Sequence, residues 1–459
     1  MRESFRFIDL FAGIGGFHHA LGALGGTCVM ACEFDPECRQ VYSAAFPDLP
    51  PERFISNIRE LTRVSVDDEN SPRSERDIDA LVPDHDVLCG GFPCQPFSKS
   101  GAQRGVRDTT RGTLFFDIME IARAKRPRYM ILENVRNIAG PRHTATWRTV
   151  IDSIRDAGYS VAEEPLVLSP HLIPRALGGA PQVRDRVFLL CELIARTRKR
   201  HGPPLLRRDE FAGVWNPDDW RITDYLDADD SIAHIERYRL GPKELAWLEA
   251  WDQFVRCVDS DALPGFPIWV DAFRVKAAVP SGTPDWERAF LLKNSEFYRA
   301  NKRVLDGWLK QRWGSDGVCV GEFPASRRKF EWQARKQHPT RTGRTIRDLV
   351  CQMRPSGIRV KPATYLPALV AITQTSILGP GLGGVREFRT LTPAEAARLQ
   401  GVPSEAFARA GVSDRAAFKQ LGNAVNVGVA MLAMRALRGS IQEVVEARAP
   451  LFAGVGAPK

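Results

Sequence analysis

The sharpest chemical feature of this chain is a cysteine presented at the end of an apolar run. Residues 86–101 read DVLCGGFPCQPFSKSG. Asp86, Val87, Leu88 and Cys89 have the character of a buried strand end. Gly90 and Gly91 break that strand. Phe92 and Pro93 stiffen the turn, Cys94 follows, and Gln95-Pro96 opens a Ser/Gly-rich loop. A thiol in this position stands at the carboxyl edge of a sheet, where open α/β folds bind ligands. A free cysteine is more often a small buried hydrophobe, but the flanking prolines and the polar loop favour a reactive group. A second candidate is Glu133, which follows the wholly apolar residues 129–132 (YMIL). Partial desolvation there would raise its pKa and suit it to deliver a proton. Glu133 or Asn134 could equally cap the next helix. A third group lies in QVRDR, where alternation places Gln182, Arg184 and Arg186 on one face of extended backbone. An amide and two guanidinium groups can anchor a carboxylate, a phosphate or a base edge. Such alternation is also common on half-exposed strands.

The elements that must hold these groups read as an α/β pattern. Residues 5–10 (FRFIDL) form a strand that runs into Phe11, Gly13, Ile14 and Gly15, then an apolar helix over 18–24. Strand, glycine-rich turn and helix outline a nucleotide-binding unit. The spacing is not GxGxxG, so a dinucleotide is not the first expectation. Residues 28–32 make a second strand ending at Glu33, and an acid there suits ribose hydroxyls. Its other reading is a helix N-terminal charge, since Asp35-Pro36-Glu37 opens the next helix. Residues 54–58 are a third strand candidate. A helix over 114–124, the strand 129–132, a helix over 147–157 and the strand 187–191 follow. Thr392 with Glu395 three residues later marks a helix start. Residues 420–427 (QLGNAVNV) lead into an apolar helix ending near residue 437.

With 459 residues the chain can hold two or three domains. Sixty-four Lys and Arg against 55 Asp and Glu give a net charge of +9, which permits a polyanionic partner. No stretch resembles a signal peptide, and no run of 18 or more apolar residues suggests a membrane span. Nine cysteines without a signal sequence suggest reduced thiols in cytosol. Cys28, Cys32 and Cys38 lack zinc-site spacing, so no metal site is expected. Composition shifts near Ala195, and nine of the ten tryptophans fall between Trp215 and Trp332. Residues 196–388 therefore read as a separate, less regular α+β domain. Its later part is basic, with Arg327, Arg328 and Lys329 leading a run interleaved with Phe330 and Trp332. A charge run is usually a solvated face, but one dominant sign broken by Gly, Thr and Pro favours phosphate contact.

These motifs, in this order, resemble those of the DNA (cytosine-5) methyltransferases of bacterial restriction–modification systems. FIDLFAGIGGF, GGFPCQPFSKSG, RGTLFFDI, ENV, QVRDR, RTLTPAEAARLQGVP and QLGNAVNV carry the resemblance. They cover residues 5–191 and 389–437, roughly half the chain. The resemblance implies an α/β, Rossmann-like domain dependent on S-adenosyl-L-methionine (AdoMet), with a second, smaller α+β target-recognition domain. The catalytic domain would take residues 1–195 and 419–459, the recognition domain 196–388, and a bridging segment 389–418.

The resemblance also implies roles. Cys94 would add to carbon 6 of a flipped cytosine, and Glu133 would hold or protonate ring nitrogen 3. Arg184 and Arg186 would orient Glu133 and grip the cytosine carbonyl oxygen, Arg186 most directly. AdoMet would lie against Phe11, Gly13, Ile14, Gly15, Glu33, Phe34, Asn57, Ile58, Gly91, Pro93, Leu114, Asn423 and Val425. Phe11 and Ile58 would flank the adenine, and Glu33 would take the ribose. The family usually has Asp where Asn57 stands. Ser98 and Ser100, on the loop after Cys94, would contact DNA. The expected partners are duplex DNA and a restriction endonuclease acting on the same site. The protein would be a monomer in the bacterial cytoplasm, associated with the nucleoid, with no membrane contact. A tRNA cytosine-5 methyltransferase and a catalytically silent DNA-binding protein are the competing readings.

Overall fold

The computed structural model describes residues 4–68, 70–93, 114–194, 221–258, 263–334, 344–369 and 376–438. Two compact units divide the chain. One comprises Met1–Trp220 with Ala396–Lys459, the other Arg221–Glu395.

The first unit is built on β1 (Phe5–Leu10), β2 (Gly26–Cys32), β3 (Phe54–Ile55), β4 (Val87–Gly91), β5 (Tyr129–Val135), β6 (Tyr159–Ser160), β7 (Leu166–Leu168), β8 (Gln182–Val183) and β9 (Arg186–Leu193). The main sheet runs β3-β2-β1-β4-β5-β9-β6, with β7 also paired to β9. β1 to β5 are mutually parallel. β9 is antiparallel to β5, β6 and β7. Strands covered on both faces need no polar alternation, and Ile8, Leu10, Val87, Leu88, Met130, Ile131 and Leu132 are all fully buried. Helices Leu114–Lys125 and Thr144–Asp156 contribute Phe115, Ile118, Ile121, Val150 and Ile154 to this core. Helix Val427–Leu437 packs along helix Gly16–Ala23, so the end of the chain returns to its beginning. The strand order reverses between β1 and β4, which makes the carboxyl ends of those two strands the ligand-binding crevice of such a sheet. This is a Rossmann-like architecture.

Two elements depart from the sequence expectation. β3 stops at Ile55 instead of running to residue 58. The Glu60 carboxylate accepts from the Ser56 hydroxyl at 2.5 Å and from the Asn57 N–H at 2.9 Å, while Asn57 Oδ1 accepts from the Arg59 N–H at 3.1 Å. Local side-chain bonds of this kind compete with a strand ladder, and the short helix Arg59–Thr62 follows instead. Residues 182–191 are likewise two strands, β8 and β9, broken at Arg184 and Asp185.

The second unit is α+β. Its six-stranded sheet has the order Ile268–Trp269, Lys329–Trp332, Gly357–Lys361, Val350–Arg354, Ile377–Leu378, Arg389–Thr390. Helices Pro242–Cys257, Asp285–Ala300 and Lys302–Lys310 belong to the same unit. Its core is aromatic: Trp251 stacks on Phe330 with centroids 4.5 Å apart and leans on Trp308 at 5.2 Å. Both indoles satisfy their N–H groups on backbone carbonyls, Trp251 on Arg327 and Trp308 on Ala250.

Candidate active site

Parallel pairing sets Gly91, the last residue of β4, directly opposite Glu133 on β5. The next residue, Asn134, donates from its amide to the Phe92 carbonyl at 2.9 Å and accepts from the Val135 N–H at 2.8 Å. The turn leading to the cysteine is thereby fixed to the end of the neighbouring strand. Pro93 is exposed; Cys94, Ser98 and Ser100 lie outside the described residues.

Glu133 is 8% exposed. Its Oε1 lies 3.0 Å from Nε of Arg186. A Cβ placed on Gly91 would stand 3.2 Å from Oε2, so the glycine clears the ground before that oxygen. Burial pushes the Glu133 carboxyl above its ordinary pKa, against the opposing pull of Arg186 and then Arg184. Arg184 also reaches the 420–427 motif. It is almost fully buried, and its guanidinium donates to the carbonyls of Gly422 at 2.8 Å and Ala424 at 2.7 Å. Its own N–H donates to the Ser169 hydroxyl at 2.8 Å. Burial, then the like charge of Arg186, lower its pKa to about 9. Gln182 accepts from the amide of Gln400 at 3.1 Å. Asn134 and Ser169 are the supporting residues that sequence reasoning passed over. Only the position of Asn134 beside Glu133 signalled anything, and it pointed to a cap.

The glycine turn lies at the end of the adjacent strand. Phe11, Gly13 and Gly15 all have positive φ, at 54°, 56° and 86°. A Cβ on Gly15 would collide with Phe46 at 2.2 Å, and one on Gly16 with the Val425 carbonyl at 2.3 Å. A Cβ on Gly13 would meet nothing within 4 Å. Gly15 and Gly16 are thus required by packing, whereas Gly13 borders open space. Glu33 ties this turn to the end of β2, since Oε2 accepts from the Gly13 N–H at 2.8 Å and Oε1 from the Asp35 N–H at 2.7 Å. Each carboxylate oxygen keeps a lone pair. Phe34 beside it is 76% exposed, an unusual position for a large aromatic. Ile14 and Ile58 are buried at 1% and 2%, and Ile58 belongs to the core. Leu114 is half-buried at the start of its helix, Asn423 is exposed, and Val425 is half-buried. The Val425 side chain also reaches within 3.4 Å of a Cβ position on Gly91. The glycine turn, the end of β4 and the 420–427 motif therefore meet at one place.

The basic run at 327–329 is tied up inside its own unit. Arg327 donates to the Arg354 carbonyl at 2.9 Å and lies over the Trp247 ring. Arg328 pairs with Asp271 at 3.1 Å, and Lys329 sits over Trp269 at 4.8 Å. A phosphate would have to compete with these partners. Among the described residues, no cluster of three or more His, Cys, Asp or Glu is placed to hold a metal, and no helix is long and apolar enough to cross a membrane.

A Rossmann-like sheet with a glycine turn, an acid closing β2 and a buried carboxylate at the end of β5 fits a methyltransferase domain. The family model for C-5 cytosine-specific DNA methylase matches residues 5–208 and 293–438. The type II methyltransferase M.AluI of Cellulosimicrobium cellulans is 36% identical over 93% of this chain and 90% of its own length. M.HhaI of Haemophilus parahaemolyticus is 39% identical over 40% of this chain and 48% of its own. M.HpaII of Haemophilus parainfluenzae is 38% identical over 41% and 46%. The chain belongs to the C-5 cytosine-specific DNA methylases. It is a DNA (cytosine-5) methyltransferase, which sets aside the tRNA and catalytically silent readings; its substrate is DNA, and AdoMet is the methyl donor that membership implies.

Proposed function

We propose that Cys94, Glu133 and Arg186 carry methyl transfer to carbon 5 of one cytosine within a specific duplex sequence. The observation that carries this reading is the pairing of Gly91 with Glu133 and the Asn134–Phe92 bond, which bring the chain to within two residues of Cys94 beside a carboxyl group.

Carbon 5 of cytosine cannot attack a methyl group unaided. Cys94 would add as thiolate to carbon 6, and carbon 5 then gains enamine character. Addition builds charge at ring nitrogen 3. Glu133, whose carboxyl burial holds above its ordinary pKa, would deliver a proton there from Oε2 while Arg186 fixes Oε1. The remaining donors of Arg186 would reach the cytosine carbonyl oxygen. After transfer, water removes the carbon 5 proton, the Cys94–carbon 6 bond breaks, and the nitrogen 3 proton returns to Glu133. A stacked base offers no access to carbon 6, so the cytosine must leave the duplex. Ser98 and Ser100 would contact the DNA.

The residues present fit AdoMet. The space beside Gly13 admits a ligand against the backbone, and Glu33 retains acceptors for two ribose hydroxyls. Phe34 offers an open aromatic face to the adenine, a better stacking surface than the buried Ile58. Asn57 Oδ1 can share its second lone pair with the adenine amino group. Gly91, Pro93, Leu114, Asn423 and Val425 would line the remainder. AdoMet supplies a methyl group on a sulfonium, ready for attack. Unit 2 would recognise the sequence. The protein would act as a monomer in the cytoplasm, and its likeness to a type II methyltransferase supports a role in protecting DNA from an endonuclease cutting the same site.

The test is a labelled-methyl assay on duplex DNA with Cys94→Ser and Glu133→Gln. Loss of transfer with AdoMet binding retained supports the assignment. Undiminished transfer by Cys94→Ser removes it.

A further inference from the structure

The outward face of the second unit's sheet holds Arg359, anchored by a neighbouring carboxylate. Strand Lys329–Trp332 alternates half-exposed Lys329 and Glu331 with buried Phe330 and Trp332. Strand Gly357–Lys361 turns Arg359 and Lys361 the same way, with Ile358 and Val360 in the core. Glu331 stands directly opposite Arg359 on one side, and Gln352 directly opposite it on the other. Nε of Arg359 donates to Glu331 Oε2 at 2.6 Å, and the amide of Gln333 donates to the same oxygen at 3.1 Å. The two terminal nitrogens of Arg359 are left as a fork with no further bond among the described residues. Cations are crowded here: burial, then Arg359 and Arg354, hold the Lys361 ammonium below its ordinary pKa. Only Glu331 opposes them on these strands' outward face.

A crowd of like charge on a sheet face fits a polyanion. An arginine whose Nε is held by a carboxylate loses little further rotamer freedom on binding, and its free fork matches O6 and N7 of guanine. Any site with a cytosine in a duplex contains at least one guanine. Resting on the DNA methyltransferase reading, we propose that Arg359, positioned by Glu331, reads a guanine of the recognised sequence, with Arg354 and Lys361 taking phosphates beside it.

The experiment is methylation of a duplex library randomised around cytosine, read by sequencing for 5-methylcytosine. Wild type gives a fixed motif. Arg359→Ala lowers kcat/KM on that motif roughly ten- to a hundredfold and leaves one guanine position degenerate. Arg359→Lys keeps the charge and shows the same degeneracy, and Glu331→Gln shows it in part. All three leave the AdoMet dissociation constant unchanged. An unchanged motif in Arg359→Ala overturns the proposal, as does an equal loss on every sequence, which marks a phosphate contact. Should Arg359→Ala fail to fold, an unchanged motif in both Arg359→Lys and Glu331→Gln overturns it. Absence of methylation by wild type would fall on the enzyme reading itself, not on Arg359.

Discussion

Glu133 has two oxygens and two different neighbours. Arg186 occupies one, and the missing side chain of Gly91 frees the other. Glu133→Gln keeps the shape and loses the proton, so kcat should fall about 10²- to 10⁴-fold while AdoMet binding, followed by calorimetry, stays as in wild type. The raised Glu133 pKa means that the protonated form survives to higher pH than an ordinary carboxyl allows. Activity should therefore decline as pH rises through that value, and Glu133→Gln should lose this limb of the profile. Ionisation of Cys94, ordinarily near a pKa of about 8.5, sets the opposite limb. Gly91→Ala would bring a methyl group to 3.2 Å from Oε2 and should reduce kcat more than it raises KM for AdoMet. At this scale the sequence made legible the place of Glu133 at the end of a wholly apolar strand, while Cys94 lies outside the described residues. The reach of Arg184 across the chain was not legible, because two carbonyls its guanidinium bonds lie 238 and 240 residues further along and alternation does not reveal them.

Among the elements, the glycine turn separates ligand contact from packing. Gly13→Ala meets no atom and should cost only about 1–3 kcal/mol for its positive φ, yet weaken AdoMet binding. Gly16→Ala runs into the Val425 carbonyl and should lower the melting temperature whether or not AdoMet is present. Arg184→Met would strand two buried carbonyls, at about 1–3 kcal/mol each, and should loosen AdoMet by freeing the 423–425 segment. Equal stability of Arg184→Met and wild type in urea would contradict that reading. The strands were readable because burial on both faces leaves long apolar runs in the sequence. β3 was overextended because the bonds among Ser56, Asn57 and Glu60 depend on which way the chain turns. For the 327–329 run, composition suggests phosphate contact but does not reveal that Asp271, Trp247 and Trp269 engage it within its own unit.

At the scale of the whole molecule, a net charge of +9 and a basic sheet face belong with a polyanionic substrate. DNA affinity should fall with salt, log K dropping by about 0.9 per phosphate neutralised for each unit of log salt. Arg354→Ala should flatten that slope by about one contact; an unaltered slope would remove Arg354 from the phosphates. Every other part of the account depends on a thiol attacking a flipped cytosine beside Glu133. Fluorine in place of the carbon 5 hydrogen would leave water no proton to remove after transfer, so the Cys94–carbon 6 bond could not break. Incubation with AdoMet and a duplex carrying 5-fluorocytosine at the target should yield a complex that survives denaturation, with mass spectrometry placing the base on Cys94. A stable adduct on a different residue, or turnover of that duplex with no adduct, would contradict the account.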